Sequence, residues 1–357
     1  MLAAIDAARN SVCLETYIFT ASPVGERCRD ALVRAKMRGA RVRVLFDAVG
    51  GMYLPWSFWQ PLLSAGGEVR QFNPLALKRF GIRDHRKLLV CDDSIAFVGG
   101  FNIASEFEGD GVTSGWCDVG LRLEGTFVQQ LKATFDEMFA RADFLHKRFV
   151  HFRRFNAKRA VSTPSEQILL SGPGRGQNPM KRALRHDLGK AENVQIVVGY
   201  FLPTWKMRRA LARVARRGGK VQLILAGKTD VRVSQLAGQS LYRRLLKAGV
   251  EIYEYQPQIL HAKLFILDDK VYVGSANLDQ RSLNINYEMM LRFVNPVMAV
   301  HAREIFSSLR QHCRLITPEG WRRSRTFLTK LEQRLAYWLL VRVDPYVARK
   351  QWRALPK

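Results

Sequence analysis

The sequence predicts an α/β fold of two similar lobes, each a mixed, mostly parallel sheet flanked by helices, with a pseudo-twofold axis and a shared site between them. Three observations lead there. Strand and helix patterns come in the same order in both halves; residues 65–74 (AGGEVRQFNP) match residues 248–257 (AGVEIYEYQP) position by position; and each half then carries the same short set of polar residues. Strands alternating with helices of this length form parallel sheets with helical crossovers. Self-similarity on this scale marks a duplicated architecture.

The first half opens with an apolar strand pattern at 12–19 (VCLETYIF), a helical pattern at 24–38 and a second strand at 41–47 (RVRVLFD). The second half repeats this at 194–201 (VQIVVGYF), 205–217 and 221–226 (VQLILA). Between the halves, residues 144–165 are rich in basic and aromatic side chains without periodicity, and read as an exposed connection. The stretch 171–176 (SGPGRG) lacks the Lys-Ser/Thr of a phosphate-binding loop and reads as a plain loop. The lobes are therefore expected over 1–143 and 166–316, with 317–357 as a separate C-terminal segment.

Composition narrows the class. A chain of 357 residues can bury two cores, and 47% hydrophobic with 25% charged residues is a globular balance. Lys and Arg number 57 against 31 Asp and Glu, a formal charge of +26, which calls for a polyanionic partner: nucleic acid or an anionic membrane surface. The five cysteines (Cys13, Cys28, Cys91, Cys117, Cys313) are odd in number with no C-x-x-C pair. That argues against a disulfide framework or a zinc site and for a reducing compartment. There is no signal-peptide pattern, and no apolar run approaches the ~20 residues that span a bilayer. Work at a membrane is expected from its surface.

After each repeated block comes one constellation. The first half has His85, Lys87 and Asp92 spaced as HxKxxxxD, then Gly99-Gly100-Phe101-Asn102; the second has His261, Lys263 and Asp268, then Gly274-Ser275-Ala276-Asn277. Residues two apart on a strand share a face, so each His projects with its Lys. The pairs Asp92-Asp93 and Asp268-Asp269 suit tight turns, with 95–98 and 271–273 running back as partner strands. The glycines allow close backbone approach, and Asn102 and Asn277 stand where a helix can begin. A lone His-x-Lys on a strand is ordinary surface. Two in matching positions of a duplication are not.

Two imidazoles, two lysines and two asparagines converging on one spot suit a phosphodiester. The lysines and asparagines can hold non-bridging oxygens. One imidazole can attack phosphorus while the other protonates the leaving oxygen. Nothing in the motifs points to a metal or other cofactor. Asp92 and Asp268 lie at an odd offset from their histidines, which assigns them to the turn rather than to proton transfer. A repeated strand offers better orienters: Asp118 (DVGLRL) and Glu288 (EMMLRF) each start a strand after the histidine of their own half. The expectation is that Asp118 serves His85 and Glu288 serves His261, each fixing a tautomer.

These residues resemble the phospholipase D superfamily, whose HxKxxxxD, GG/GS and Asn motif recurs over nearly the whole chain. The GGFN ending, the Trp116-x-Asp118 strand, the run 274–283 (GSANLDQRSL) and the basic-aromatic C-terminus are similar to bacterial cardiolipin synthases of the shorter type without N-terminal transmembrane helices. The resemblance implies a catalytic set that includes Asp92 and Asp268 as motif members. It also implies exchange of phosphodiesters through a phosphatidyl-histidine, by analogy on His85, with two phosphatidylglycerols giving cardiolipin and glycerol. No cofactor is implied, and the expected location is peripheral, on the cytoplasmic side of the inner membrane. Two departures stand out. Members of the family usually have a leading strand and more helix ahead of the point where this chain starts, and the second motif is one residue shorter from Asp268 to Asn277 than the first from Asp92 to Asn102.

Two segments favour lipid over nucleic acid as the polyanion. Residues 75–84 (LALKRFGIRD), apolar and basic together, contain the seven extra residues that precede His85. In the C-terminal segment, Phe327, Leu328, Leu331, Leu335, Trp338 and Leu339 fall at helical spacing among Arg322, Arg323, Arg325, Lys330, Arg334 and Arg342, as in a helix lying in a bilayer interface. A nuclease or hydrolase of the same superfamily is the alternative, because its two-histidine chemistry is the same. A non-catalytic scaffold is disfavoured by two intact His-Lys-Asn sets.

Overall fold

The computed structural model describes residues 1–74, 81–142, 158–163, 165–174, 176–344 and 346. The expected features at 75–80 and through most of the 144–165 connection lie outside these.

The first lobe's sheet contains β1 (Ser11–Thr16), β2 (Arg41–Asp47), β3 (Glu68–Phe72), β4 (Leu88–Cys91), β5 (Ile95–Gly99) and β6 (Gly120–Glu124), in the order β3-β2-β1-β4-β5-β6. The second lobe contributes β7 (Arg159–Ser162), β8 (Glu166–Ser171), β9 (Asn193–Val198), β10 (Lys220–Ala226), β11 (Glu251–Tyr255), β12 (Lys263–Leu267), β13 (Lys270–Gly274), β14 (Glu288–Val294) and β15 (Cys313–Ile316). They are ordered β15-β11-β10-β9-β12-β13-β14-β8-β7. The strands β1-β2-β3 and β9-β10-β11 are parallel, joined by helices such as Pro23–Met37 and Trp205–Arg216. Ser22 and Thr204 cap those two helices by accepting N–H bonds from Gly25 and Met207.

The sheets are mixed, as expected, but parallel pairing is the smaller share. β4, β5 and β6, like β12, β13 and β14, run antiparallel, and tight turns join β4 to β5 and β12 to β13. Within the expected connection, β7 is a strand on the edge of the second sheet, paired to β8. Its alternating half-buried and exposed residues gave too short a signal to read from sequence.

Each sheet buries one face under its own helices and turns the other toward the opposite lobe. Helix Phe127–Phe139 packs in a core that joins Leu88, Val90 and Val98 to Ile168, Leu170, Met289 and Leu291 of the second lobe. Its counterpart Pro296–Gln311 packs in a core that joins Leu264, Ile266 and Val273 to Cys117 of the first. The two lobes thus share their cores.

The C-terminal segment is helical over Pro318–Arg323 and Phe327–Trp338, continuing as a wider turn through Leu339–Val343. Gln333 and Ala336 are buried and Tyr337 and Leu340 pack on the second lobe. The stripe Phe327, Leu328, Leu331, Leu335, Trp338 and Leu339 faces out, with Phe327 78% and Leu328 69% exposed.

Candidate active site

Backbone bridges between the lobes set the site. Asp84 bridges to Tyr287 and Cys117 to Leu260. The His85 N–H donates to the Tyr287 carbonyl at 2.9 Å, and the His261 N–H to the Cys117 carbonyl at 2.8 Å. Tyr287 precedes Glu288 and Cys117 precedes Asp118, so each histidine is stitched beside the acid of the other half.

The expected pairing is therefore corrected. His85 Nδ1 lies 3.1 Å from Glu288 Oε2, and His261 Nδ1 lies 2.7 Å from Asp118 Oδ2. The acids start comparable strands, as read from the repeat, but those strands lie at the face shared by the lobes and reach across the axis. With Nδ1 held, Nε2 is the ring nitrogen left for a ligand. Both histidines line one cavity of about 440 Å³, together with Asn102, Asn277, Tyr17, Tyr200, Trp116, Arg83 and Arg281.

The histidines sit just ahead of β4 and β12 rather than within them. Lys87 and Lys263 are buried beneath the cavity, each donating from Nζ to the carbonyl of its own histidine, Lys87 at 2.8 Å. Asn102 and Asn277 do not cap helices. Their carboxamide oxygens accept the N–H groups of Ile18 (3.0 Å) and Tyr200 (3.4 Å), which leaves the amide NH₂ as the group available to a ligand. The caps fall later, at Ala104 and Asp279.

Asp92 and Asp268 are not among the residues lining the cavity. Each stands in a turn with positive φ, 52° and 51°, where the short polar side chain of Asp tolerates the left-handed region. Asp92 accepts the backbone N–H groups of Arg9, Asn10 and Ser11 at 2.9, 2.7 and 2.9 Å. Asp268 accepts those of Glu192 and Asn193 at 3.2 and 2.9 Å. They tie the motif hairpins to the starts of β1 and β9. The one-residue length difference also lies in these turns: Cys91 pairs with Ile95 across three residues, Leu267 with Lys270 across two. It falls at the far end of the hairpin from the histidines.

Electrostatics separates the two halves. Burial lowers the pKa of His85, and Glu288 partly offsets this. Burial lowers His261 further, with Lys263, Lys87 and His85 adding to it. Burial also brings Lys87 down to about 7 and Lys263 to about 8. Burial works to raise Glu288, but His85, Lys87 and the Ser275 hydroxyl outweigh it, so this carboxylate is held below its usual range. Asp118 has Gly100 where Glu288 has Ser275, and burial pushes it up to about 7. A Cβ on Gly100 would stand 2.5 Å from Asp118 Oδ1, so no side chain fits there.

Of the residues around the two rings, Tyr17, Phe107 and Arg83 were not singled out in the sequence, and Trp116 was noted only for its family likeness. Tyr17 packs on the His85 ring at 5.0 Å, and Phe107 and Trp116 on His261 at 5.2 and 5.5 Å. Arg83, 3.1 Å from the fully buried Asp47, comes from the insert ahead of His85. Arg281 lies inside the NLDQRSL run, whose likeness to a family was legible but whose geometry was not.

The family described as "Cardiolipin synthase, PLD-like domain" matches residues 1–139 and 184–310. The chain belongs to the phospholipase D-like family. It is 32% identical over 308 residues to cardiolipin synthase 1 of Bacillus anthracis, covering 81% of this chain and 60% of that protein. It is 30% identical over 317 residues to cardiolipin synthase B of Salmonella typhimurium, covering 87% and 75%. Against several of these curated relatives the chain spans about 60% of their length. The crystal structure of phosphatidylserine synthase from Haemophilus influenzae superposes with a TM-score of 0.73 at 15% identity, covering 97% of this chain and 91% of that one. At that identity the likeness speaks for the fold alone.

Proposed function

We propose that this protein is a cardiolipin synthase-like phosphatidyltransferase that converts two phosphatidylglycerols to cardiolipin and glycerol. The observation that carries this is the crossed pairing: two imidazoles, each held at Nδ1 by a buried carboxylate of the opposite repeat, open on one cavity above two buried lysines. The names of the relatives favour a lipid phosphodiester over nucleic acid.

His85 is the nucleophile. Ionised Glu288 keeps the proton on Nδ1, so the Nε2 lone pair faces the cavity. As the nitrogen–phosphorus bond forms, the bond to the leaving glycerol oxygen breaks, and that oxygen takes a proton from His261. A primary hydroxyl of the second phosphatidylglycerol then gives its proton to His261 and attacks phosphorus, and His85 departs. His261 must be charged for the first step, against burial and the neighbouring Lys263, Lys87 and His85, which lower its pKa. A bound phosphodiester supplies a negative charge beside it, which favours the protonated ring. The lysines place positive charge beneath the developing oxyanion, and the asparagine NH₂ groups supply neutral donors. Asp92 and Asp268 act only through the hairpins they anchor.

The chain works from the surface of an anionic membrane, bound by the outward stripe of the C-terminal helix and its arginines. Among the described residues no helix is long and apolar enough to cross a membrane. The cytoplasmic face of the inner membrane is the proposed location, in keeping with five free cysteines.

The test incubates the protein with phosphatidylglycerol vesicles and, separately, with single-stranded DNA. Cardiolipin and glycerol should appear in equal amounts, and His85→Ala should abolish both. Phosphatidic acid as the main product would replace the transferase with a hydrolase, and DNA cleavage without lipid turnover would sink the lipid reading.

A further inference from the structure

A second, smaller hollow adjoins the active-site cavity. It has a volume of about 180 Å³ and is lined by Tyr200, Leu202, Val231, Ser234, Gln280 and Leu340, with Asp279, Arg281 and Asp344 at its edges. Four of these residues, Tyr200, Val231, Asp279 and Arg281, also line the cavity that holds the histidines. The two spaces are therefore neighbours that share a wall.

Its chemistry differs from the cavity's. The wall is largely apolar, and the charges at its edge are already matched. Arg281 Nη1 lies 2.5 Å from Asp344 Oδ1, and Arg281 Nη2 donates to the Gly81 carbonyl at 3.0 Å. Asp279 accepts the Ser282 N–H at 2.8 Å. Such a surface offers an occupant burial rather than ion pairing. The hollow also ends at Leu340, in the turn that continues the C-terminal helix, next to the outward stripe of Leu335, Trp338 and Leu339. It thus lies between the cavity of the two histidines and the outward stripe of the C-terminal helix.

We infer that this hollow is an acyl-chain groove, which seats the first part of a hydrocarbon chain of the lipid whose phosphate lies between His85 and His261. The inference rests on the lipid reading of the site and adds the route by which a lipid held in a bilayer reaches it. The occupant proposed is covalently continuous with the group at phosphorus, because the groove shares four wall residues with the cavity that holds the histidines. It must be apolar, because little on the wall would reward a charged headgroup. Moving methylenes from water onto such a wall is favourable, so a chain in the groove helps hold the phosphate in register for attack.

Two substitutions fill the groove without touching a histidine, lysine or asparagine of the site: Ser234→Trp and Leu340→Trp. The measured quantity is the ratio of kcat/KM for long-chain phosphatidylglycerol, in mixed micelles, to kcat/KM for glycerophosphoglycerol, which has the same diester and no chains. Each substitution should lower that ratio at least tenfold. The unaltered protein, irradiated with phosphatidylglycerol carrying a photoactivatable acyl chain, should carry adducts at residues 231–234 and 340; this decides the matter even where both variants misfold. Lipid turnover by the unaltered protein with an unchanged ratio in both variants, or adducts confined to other residues, overturns the groove alone. No lipid turnover by the unaltered protein overturns the groove and the proposed function together.

Discussion

Gly100 and Ser275 occupy the same place in the two repeats, and one hydroxyl separates the carboxylates beside them. Ser275 donates to Glu288 and helps keep it ionised, while Asp118, against Gly100, is pushed up to about 7 by burial. A pH dependence follows from the neighbouring cations. Lys87, brought to about 7, and Lys263, brought to about 8, are charged below those values and lose their charge as pH rises through them. His85 must be neutral to attack, and its lowered pKa puts the loss on the acid side below the ordinary 6.5. Plotted against pH, kcat/KM, which reports free-enzyme ionisations, should therefore decline as pH climbs from about 7 to 8. The protonated fraction of His261 also falls over the same range, its pKa being lowered, so a profile that stays level across that interval would remove both the lysine charges and the His261 proton from the first step.

At the scale of the element, the motif hairpins and the C-terminal helix solve different problems. The hairpins need a left-handed turn and a tether to the neighbouring strand; Asp92 and Asp268 provide both, and the extra residue in the first turn is absorbed far from the chemistry. The C-terminal helix carries two apolar faces. Gln333, Ala336 and Leu340 lie toward the lobe, and the outward stripe is left without a protein partner among the described residues. Fully burying one such side chain is worth about 1.5–3 kcal/mol. The double substitution Leu331→Asp and Leu335→Asp should reduce co-sedimentation with anionic vesicles at least tenfold, with turnover of a water-soluble phosphodiester as the folding control. Undiminished co-sedimentation would assign membrane contact to another surface.

At the scale of the whole molecule, the two halves exchange partners across the axis, each histidine meeting the acid of the other half. Coupling in the unfolding free energy, about 0.5–3 kcal/mol for residues in contact, should join His85 to Glu288 and His261 to Asp118. The same-half pairs His85–Asp118 and His261–Glu288 should show less. Stronger coupling within each half, measured by double-mutant cycles in denaturant, would contradict the crossed site. The halves are not copies in their interiors either. Beneath His85, Arg86 lies 3.1 Å from the fully buried Glu15, while the matching positions of the second half hold Val197 and Ala262, both buried and apolar. Neither half could stand in for the other.

The repeat, the two His-Lys-Asn sets, the turn role of Asp92 and Asp268 and the acids that orient the rings were all legible in the chain, because each rests on local spacing: period two on a strand, or a turn at a fixed offset. Which acid meets which histidine was not. That depends on bridges between residues about 200 and 140 positions apart, and a linear repeat has no means of saying whether equivalent strands pair within a lobe or across it. The same limit hid the smaller share of parallel pairing, the edge strand at β7 and the aromatic walls of the cavity. Sequence by itself determined which groups the two repeats set in matching places, since side-chain type and period are local properties. Only the packing of one sheet against the other decided their partners, their ionisation and the shape of the space between them, since burial and distance belong to the folded pair of lobes.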